Sequence, residues 1–392
     1  MKKTKAHKHH FKKGESLAEE ELELSEEQWK PFIEKGSFAA RVVEVHKRYV
    51  FVSPEKLGGK IETNDVWLGS VARKYLQMDR TERNFLAVGD RVLCMPEPRD
   101  EEQDKKIAIA KDELEEEAEE KLPHCLVQFR AKRSSQIARL DPMGAHRKHV
   151  LAANLTQLLI VSSFVAPKVK WGLIDRYIVL AEEQDLKPVL VFNKLDLLKT
   201  SKPSVQEECK EMLEIYRGLG YKVLSIQADK PGTKIRSELE AIFSAQISLL
   251  SGHSGVGKSS IINLMKPEIE QDVETESILT KGRHTTSYAS LIRLGRSGGF
   301  VIDTPGIRSF LIEEKTPFDL SSCFVEIAPH AAQCKFGECT HQTEPHCAVQ
   351  EAVKKGLISP QRYKSFLAIL FGAESREGRA GLNTRRPDED SE

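Results

Sequence analysis

The stretch that decides the fold of this chain runs Gly252-His253-Ser254-Gly255-Val256-Gly257-Lys258-Ser259. It follows the apolar run 247–250 and precedes a helical pattern at 260–265, so it joins a predicted strand to a predicted helix. Glycines at these positions let backbone N–H groups turn inward around a phosphate, and the helix N-terminus adds positive potential. The spacing therefore predicts a phosphate-binding loop, which extends to Ser260.

Two side chains of this loop carry the predicted chemistry. Lys258 reaches the β- and γ-phosphates of a bound nucleotide and counts among the candidate catalytic residues. The hydroxyl of Ser259 can ligate magnesium. His253 stands at a variable position of the loop, where we assign no chemistry to its side chain.

A second motif, Asn193-Lys194-Leu195-Asp196, follows the predicted strand 188–192. The Asp196 carboxylate can accept two hydrogen bonds from guanine N1–H and N2, which adenine cannot offer. Asn193 would brace neighbouring loops, and the stem of Lys194 would cover the face of the base. The pair of motifs predicts a guanine-nucleotide site and disfavours an ATPase.

A third motif, Asp303-Thr304-Pro305-Gly306, follows the predicted strand 299–302. Here Asp303 can hold magnesium through water, and the Gly306 N–H can contact the γ-phosphate. All three motifs together predict a GTPase that uses Mg²⁺.

The polar loop 282–286, Gly-Arg-His-Thr-Thr, lies between the phosphate loop and the third motif. A switch threonine that completes the magnesium shell is expected there, and we favour Thr286, with Thr285 as the alternative. The residue after Gly306 is Ile307, which cannot orient a water molecule, so slow intrinsic hydrolysis is expected. His284 is the candidate replacement, because an imidazole can orient water at neutral pH.

The order of the motifs is circularly permuted relative to Ras-like GTPases. The base-reading motif precedes the phosphate loop by about sixty residues. A fold tolerates such a cut when its natural termini lie close together. The segment that ends at Gly306 therefore continues directly into the C-terminal region.

Strands and helices alternate through the central region, which predicts a parallel α/β sheet. The predicted strands are 157–162, 188–192, 222–226, 247–250, 288–294 and 299–302, with helices at 173–183, 205–219 and 235–243. The region before it shows short strands without helices, at 38–45, 49–52, 66–68, 91–95 and 107–110. That pattern predicts an OB-like β-barrel.

Three of the seven cysteines, Cys334, Cys339 and Cys347, lie within fourteen residues that also contain His341 and His346. In a reducing compartment such clustering indicates a metal rather than disulfides. Three thiolates and one imidazole complete a tetrahedral Zn²⁺ site with no open position, so a structural role is expected.

Composition limits the class of protein. The net charge is zero, but residues 1–13 hold six lysines and three histidines, and a glutamate-rich stretch follows. No apolar run is long enough to cross a bilayer, and the N-terminus lacks the apolar core of a signal peptide, so a cytoplasmic protein without a membrane partner is expected.

These motifs resemble the RsgA family, also called YjeQ, over roughly residues 37 to 370. The resemblance implies a GTPase that assists late maturation of the small ribosomal subunit, with ribosomal RNA as partner and with hydrolysis stimulated by the subunit and coupled to release. It also favours His341 over His346 as the fourth zinc ligand and supports the role of His284. The sequence reads Gln227-Ala228 where GTPases carry Ser-Ala, and the Ala228 N–H is the candidate contact to the base.

The expected organisation is multi-domain. It comprises a flexible charged arm (1–36), an OB-like barrel with an acidic insertion (37–135), a circularly permuted P-loop GTPase domain (150–312), a small helical zinc-binding domain (313–372) and a disordered tail (373–392). We expect a monomer.

A basic connector follows the barrel and contains Lys132, Arg133, Arg139, Arg147 and Lys148. The barrel, this connector and the zinc module together suggest an RNA clamp, because basic grooves follow phosphate backbones. Lys354, Lys355, Arg362 and Lys364 are candidates for phosphate contacts. We further hypothesise that GTP orders the loops at Thr286 and Asp303 and thereby moves the zinc module against RNA. The alternative is a signalling or translation-factor GTPase that acts on a protein partner.

Overall fold

The computed structural model describes residues 23–46, 49–56, 60–61, 65–71, 85–97, 122–140, 148–265, 289–295, 298–303 and 315–372. They form two compact units. The first draws its described residues from Met1–Asn154, Ile269–Ile292 and Ile302–Gly306, and the second from Leu155–Glu268, Arg293–Val301 and Ile307–Glu392.

The first unit contains a closed five-stranded barrel. Its elements are α1 (Glu26–Ile33), β1 (Phe38–Val45), β2 (Tyr49–Lys56), β3 (Lys60–Ile61), β4 (Trp67–Val71), β5 (Arg91–Glu97) and β6 (His124–Arg130). Strand β1 pairs with β2 and β5, while β6 pairs with β5 and, in parallel, with β4, and β2–β4 pairing closes the ring. This order confirms the OB-like barrel.

Small and β-branched side chains fill much of the barrel core. Ala40, Val42, Val92 and Val127 are fully buried in the barrel core. Strand β6 was missed by the sequence analysis, and the strand predicted at 107–110 lies outside the described residues.

The expectation of a flexible arm over residues 1–36 is wrong for residues 23–36. Helix α1 begins with a capping box at Ser25, and Trp29 is fully buried against Ala39, Leu93 and Ala131. Trp29, with Leu24, Phe32 and Ile33 packed beside it, therefore fixes a segment in which nearly half of the side chains are charged.

The stretch interpreted as a basic connector contains a hairpin. Strand β7 (Gln136–Leu140) pairs antiparallel with β8 (Lys148–Ala153), and Ile137 is fully buried. The predicted start of the GTPase domain at residue 150 falls inside β8, whereas the first unit runs to Asn154.

The second unit contains the predicted α/β sheet. Its elements are β9 (Gln157–Ser163), α2 (Trp171–Glu183), β10 (Lys187–Asn193), α3 (Leu195–Lys199), α4 (Pro203–Gly218), β11 (Lys222–Ser225), α5 (Thr233–Phe243), β12 (Ile247–Ser251) and α6 (Lys258–Met265). Strands β13 (Ser290–Leu294) and β14 (Gly299–Asp303) follow, and each contributes residues to both units. The predicted strands of this region are confirmed, with ends shifted by at most two residues.

The sheet of the second unit runs in the order β11-β10-β9-β12-β14, and β9 to β12 pair in parallel. Their apolar runs are buried because helices cover a parallel sheet on both faces. The carboxyl ends of β10, β11 and β12 meet at one edge, which is where a ligand binds in folds of this kind.

The C-terminal region is helical: α7 (Pro317–Ser322), α8 (Ala328–Ala331), α9 (Ala348–Lys354) and α10 (Pro360–Leu370). Its core includes Phe324, Ile358 and Phe366, and it continues into the sheet-bearing region through Val179 of α2. The predicted zinc module is thus part of the second unit.

Among the described residues, no helix is both long enough and apolar enough to cross a membrane.

Candidate nucleotide site and metal centre

The predicted phosphate loop leaves β12 at Ser251 and enters α6 at Lys258. Gly252, Gly255 and Gly257 have φ values of +146°, +79° and +99°, which side-chain-bearing residues rarely adopt. A Cβ on Gly252 would lie 1.9 Å from the Val161 carbonyl oxygen, and one on Gly257 would lie 2.1 Å from Asn193 Nδ2. The glycines are therefore required by backbone conformation and by close packing.

Lys258 and Ser259 lie at the start of α6. The Lys258 ammonium donates to the carbonyl oxygens of Gly252 (2.8 Å) and His253 (3.1 Å). Ser259 is exposed, so its hydroxyl is accessible to a cation at the helix N-terminus. His253 is also exposed, and its Nδ1 lies 3.0 Å from the Ser254 carbonyl oxygen.

Asn193 joins three loops at the edge of the sheet. Its side chain is buried, its Nδ2 donates to the Val256 carbonyl oxygen at 3.0 Å, and its Oδ1 accepts from the Ala228 N–H at 2.9 Å. The structure thus brings the base-reading motif, the phosphate loop and the loop after β11 into direct contact, although the chain visits them in permuted order.

The rest of the base-reading motif turns sharply after Asn193. Lys194 has φ +61°, and its ammonium donates to the Ala166 carbonyl oxygen at 2.7 Å. Asp196 lies in α3 and is half-buried. Among the described residues none donates a hydrogen bond to its carboxylate, which suits a group that accepts from a ligand.

In the loop after β11, the Ala228 N–H makes a different hydrogen bond from the one that we expected. The Ala228 N–H, our candidate contact to the base, donates to Asn193 instead. Ala228 therefore positions Asn193 in this structure, and its contact to a base stays a prediction.

The magnesium side of the site is described only in part. Asp303 is the last residue of β14. Gly306, His284, Thr285 and Thr286 lie outside the described residues, so their predicted roles stay predictions.

The cysteine cluster is assembled as predicted. The ligand atoms of Cys334, Cys339, His341 and Cys347 all lie within 4.8 Å of one another. The Sγ atoms of Cys334 and Cys347 are 3.8 Å apart, and His341 Nδ1 lies 3.6 Å and 3.4 Å from them. His346, the rival ligand, is exposed and is not among the four.

These distances fit zinc. Bonds of about 2.3 Å to sulfur and about 2.0 Å to nitrogen at tetrahedral angles separate two sulfurs by about 3.8 Å, and a sulfur from a nitrogen by about 3.5 Å. Burial raises the pKa of the Cys339 thiol to about 12 and lowers the pKa of His341. The neutral imidazole is the form that binds a metal, while the thiols need a cation to ionise at neutral pH.

One carboxylate shapes the loop that carries His341. Glu344 accepts from the Thr340 N–H (2.7 Å), the Thr340 hydroxyl (2.6 Å) and the N–H groups of Gln342 and Thr343 (3.1 Å each). Burial raises the pKa of Glu344, but these bonds outweigh it and bring the value to about 2. Glu344 was not singled out from the sequence.

Arg362 does not face solvent, which corrects its assignment as a phosphate contact. Its guanidinium is fully buried and donates to Asp175 of α2 (2.6 Å) and, twice, to Glu326 (2.7 and 3.1 Å). Tyr216 of α4 also donates to Asp175, at 2.7 Å. This network fastens the C-terminal helices to α2 and α4.

A parallel sheet with a glycine-rich phosphate loop and an Asn-Lys-x-Asp loop in contact at its edge defines a circularly permuted P-loop GTPase fold. Solved structures share it. The structure of YjeQ from Thermotoga maritima has a TM-score of 0.63 and 28% identity, covering 87% of this chain and 99% of that one. The structure of YloQ, a circularly permuted GTPase, has a TM-score of 0.60 at 22% identity, with 87% and 96% covered, and supports the fold alone.

Sequence comparisons give the family. The RsgA GTPase profile matches residues 130–313. The small ribosomal subunit biogenesis GTPase RsgA of Chlorobaculum parvum is 35% identical over 73% of this chain and 85% of its own. RsgA 1 of Vibrio parahaemolyticus is 40% identical over 56% of this chain, and the match spans 61% of that relative. The chain belongs to the RsgA GTPase family, whose members hydrolyse GTP.

Proposed function

We propose that this protein binds GTP and GDP with Mg²⁺ at the edge of the second unit's sheet and hydrolyses GTP while it assists late maturation of the small ribosomal subunit. The observation that carries the nucleotide part is Asn193, which holds the phosphate loop through Val256 and the loop after β11 through Ala228. A base held near Asp196 and phosphates held near Lys258 then belong to one site.

The phosphate loop supplies N–H groups and the Lys258 ammonium to the phosphates. To reach them, Lys258 must exchange the carbonyl oxygens of Gly252 and His253 for phosphate oxygens, which are stronger acceptors because they are charged. Ser259 and Thr286 would ligate Mg²⁺ directly, and Asp303 would do so through water. Gly306 would donate its N–H to the γ-phosphate.

We assign the positioning of the attacking water to His284, because Ile307 follows Gly306 where a Ras-type enzyme has glutamine. The His284→Ala variant is expected to retain GTP affinity and to lose the turnover stimulated by its partner. Unchanged stimulated turnover in that variant would refute this assignment.

The partner follows from the relatives, which are named small ribosomal subunit biogenesis GTPases. An OB-like barrel is a common RNA-binding fold, which supports ribosomal RNA as the surface bound. A role on ribosomal subunits supports a cytoplasmic location.

The cysteine cluster would hold one structural Zn²⁺ through Cys334, Cys339, His341 and Cys347. Four protein ligands leave no position for substrate, and the bound metal would stabilise the C-terminal helices, whose core is shared with α2 through Val179.

The buried Arg362 network argues against the hypothesis that GTP moves the zinc module against RNA. Arg362 and Asp175 are both fully buried and form an ion pair. Moving the module away from α2 would separate these two charges and leave at least one of them without its partner. We therefore infer that the zinc module and the sheet of the second unit act as one body on the partner.

The test is GTP turnover measured with purified small ribosomal subunits, with large subunits as the matched control. The expected result is slow turnover alone and with large subunits, and much faster turnover with small subunits. Equal turnover under all three conditions would contradict the proposal and favour a protein partner. Co-sedimentation with small subunits should weaken steeply as salt rises, because contacts to phosphates release counterions.

A further inference from the structure

A serine that is not a metal ligand touches the imidazole of the cysteine cluster. Ser321 lies near the end of α7 and is 1% exposed. Its Oγ lies 3.1 Å from His341 Nε2 and 2.7 Å from the Pro317 carbonyl oxygen. The opposite ring nitrogen, His341 Nδ1, is the one that faces the sulfur atoms of Cys334 and Cys347.

Ser321 has one hydroxyl hydrogen for two contacts, and this decides which group donates in each hydrogen bond. A carbonyl oxygen can only accept, so the contact to Pro317 requires the single hydrogen of the Ser321 hydroxyl. That hydrogen is then unavailable to His341, and the Ser321 oxygen accepts from an Nε2–H. A neutral imidazole with its hydrogen on Nε2 carries its lone pair on Nδ1, the nitrogen that faces the sulfurs.

The backbone of His341 is held by other groups. The Tyr363 hydroxyl donates to the His341 carbonyl oxygen at 2.6 Å, and His341 takes φ +62° in the loop that Glu344 organises. The Phe366 ring lies 5.6 Å from the imidazole. Loss of the Ser321 hydroxyl would therefore affect the ring nitrogens while these contacts continue to hold the loop.

We propose that Ser321 is the positioning residue of the metal centre: by accepting from Nε2–H it fixes the tautomer of His341 and presents Nδ1 as the ligand atom. This inference rests on the zinc site proposed above. Partners of this kind orient metal-bound histidines and raise their basicity, and their loss lowers metal affinity about 10- to 100-fold. The same range is expected for the loss of the Ser321 hydroxyl.

The first test compares Ser321→Ala with Ser322→Ala in the full-length chain, by competition for zinc against a chromogenic chelator. Ser322 is the matched control because it is exposed and its hydroxyl donates to the Asp319 carbonyl oxygen at 2.6 Å, outside the cluster. Ser321→Ala should weaken zinc binding about 10- to 100-fold, and Ser322→Ala should stay within about twofold of the unmodified protein. Zinc affinity within twofold in Ser321→Ala would overturn the proposal.

Thermal unfolding separates positioning from packing. If Ser321 positions the ligand, the rise in Tm that zinc confers should shrink in Ser321→Ala. Equal drops in Tm for the metal-free and zinc-loaded forms, with zinc affinity unchanged, would indicate a packing role alone and overturn the proposal.

The second test needs no variant and stands even where Ser321→Ala does not fold. In ¹⁵N-labelled zinc-loaded protein, NMR of the His341 ring should show Nδ1 bound to metal and Nε2 protonated. Metal on Nε2 would overturn the proposal for Ser321. Purified protein that takes up less than half an equivalent of zinc would instead refute the zinc site itself, so the two failures are distinguishable.

Discussion

The phosphate loop offers backbone N–H groups together with the side chains of Lys258 and Ser259, whereas the cysteine cluster offers four side chains alone. The phosphate loop is open, with His253, Ser254 and Ser259 exposed. In the cluster, Cys339, His341 and Cys347 are 4%, 2% and 2% exposed. The first region depends on glycine geometry and suits a ligand that is exchanged, whereas the second is enclosed, as a permanently held structural metal requires.

The comparison predicts that the two regions respond differently to loss of their ligands. Removing zinc with a strong chelator should abolish hydrogen-exchange protection over 334–347, the segment that carries the ligands, because structural zinc contributes about 10–16 kcal/mol to the folding of small zinc modules. The phosphate loop should keep its GTP affinity within about threefold, since none of its groups belongs to the cluster. Protection that survives zinc removal would contradict the structural role of the metal.

Breaking the network that fastens the zinc module to α2 should have the next largest effect, on the free energy of unfolding. Arg362→Met leaves Asp175 and Glu326 buried without their cation, and we expect a loss of about 3–5 kcal/mol in urea unfolding.

The matched control is Arg217→Met, since Arg217 and its partner Glu214 form an exposed pair at 2.6 Å. Loss of an exposed pair costs less than about 1 kcal/mol. Equal effects of the two substitutions would show that the buried network does not hold the module.

The glycines of the phosphate loop provide a third, smaller contrast. In Gly257→Ala the new Cβ would lie 2.1 Å from Asn193 Nδ2, so both the loop and its brace must shift. We expect GTP affinity to fall about 100-fold, which corresponds to about 2.7 kcal/mol.

Gly255→Ala tests backbone strain alone, because Gly255 also has positive φ (+79°) but its Cβ would meet no atom within 4 Å. Its GTP affinity should fall less than about tenfold. A larger loss in Gly255→Ala than in Gly257→Ala, measured by titration with a fluorescent GTP analogue, would exclude packing against Asn193 as the reason for Gly257.

Much of this contrast was visible in the sequence. Phosphate loops and cysteine clusters each combine distinctive residues at fixed spacing, so both could be located in the sequence, although the choice of His341 over His346 came from the family resemblance. The parallel strands were predicted because their apolar runs are continuous, as in β9 and β10.

Features built from contacts distant in sequence were missed for physical reasons. The partners Arg362 and Asp175 are 187 residues apart, and a basic residue on a helix looks the same in sequence whether it is buried or exposed. Trp29 anchors α1 from within a run of charges, and the role of Ser321 depends on a histidine twenty residues away. No pattern in the neighbouring sequence marks Trp29 as an anchor or Ser321 as a partner of His341.

If the loop of Asp196 and the loop of Lys258 form one guanine-nucleotide site, the choice of base should depend on the Asp196 carboxylate. The most direct measurement is the affinity of Asp196→Asn for GTP and for XTP. An amide in place of the carboxylate matches the donor and acceptor pattern of xanthine instead of guanine. We expect GTP affinity to fall about 100-fold and XTP to become the preferred nucleotide, as one shared site requires. Unchanged preference for GTP would contradict it.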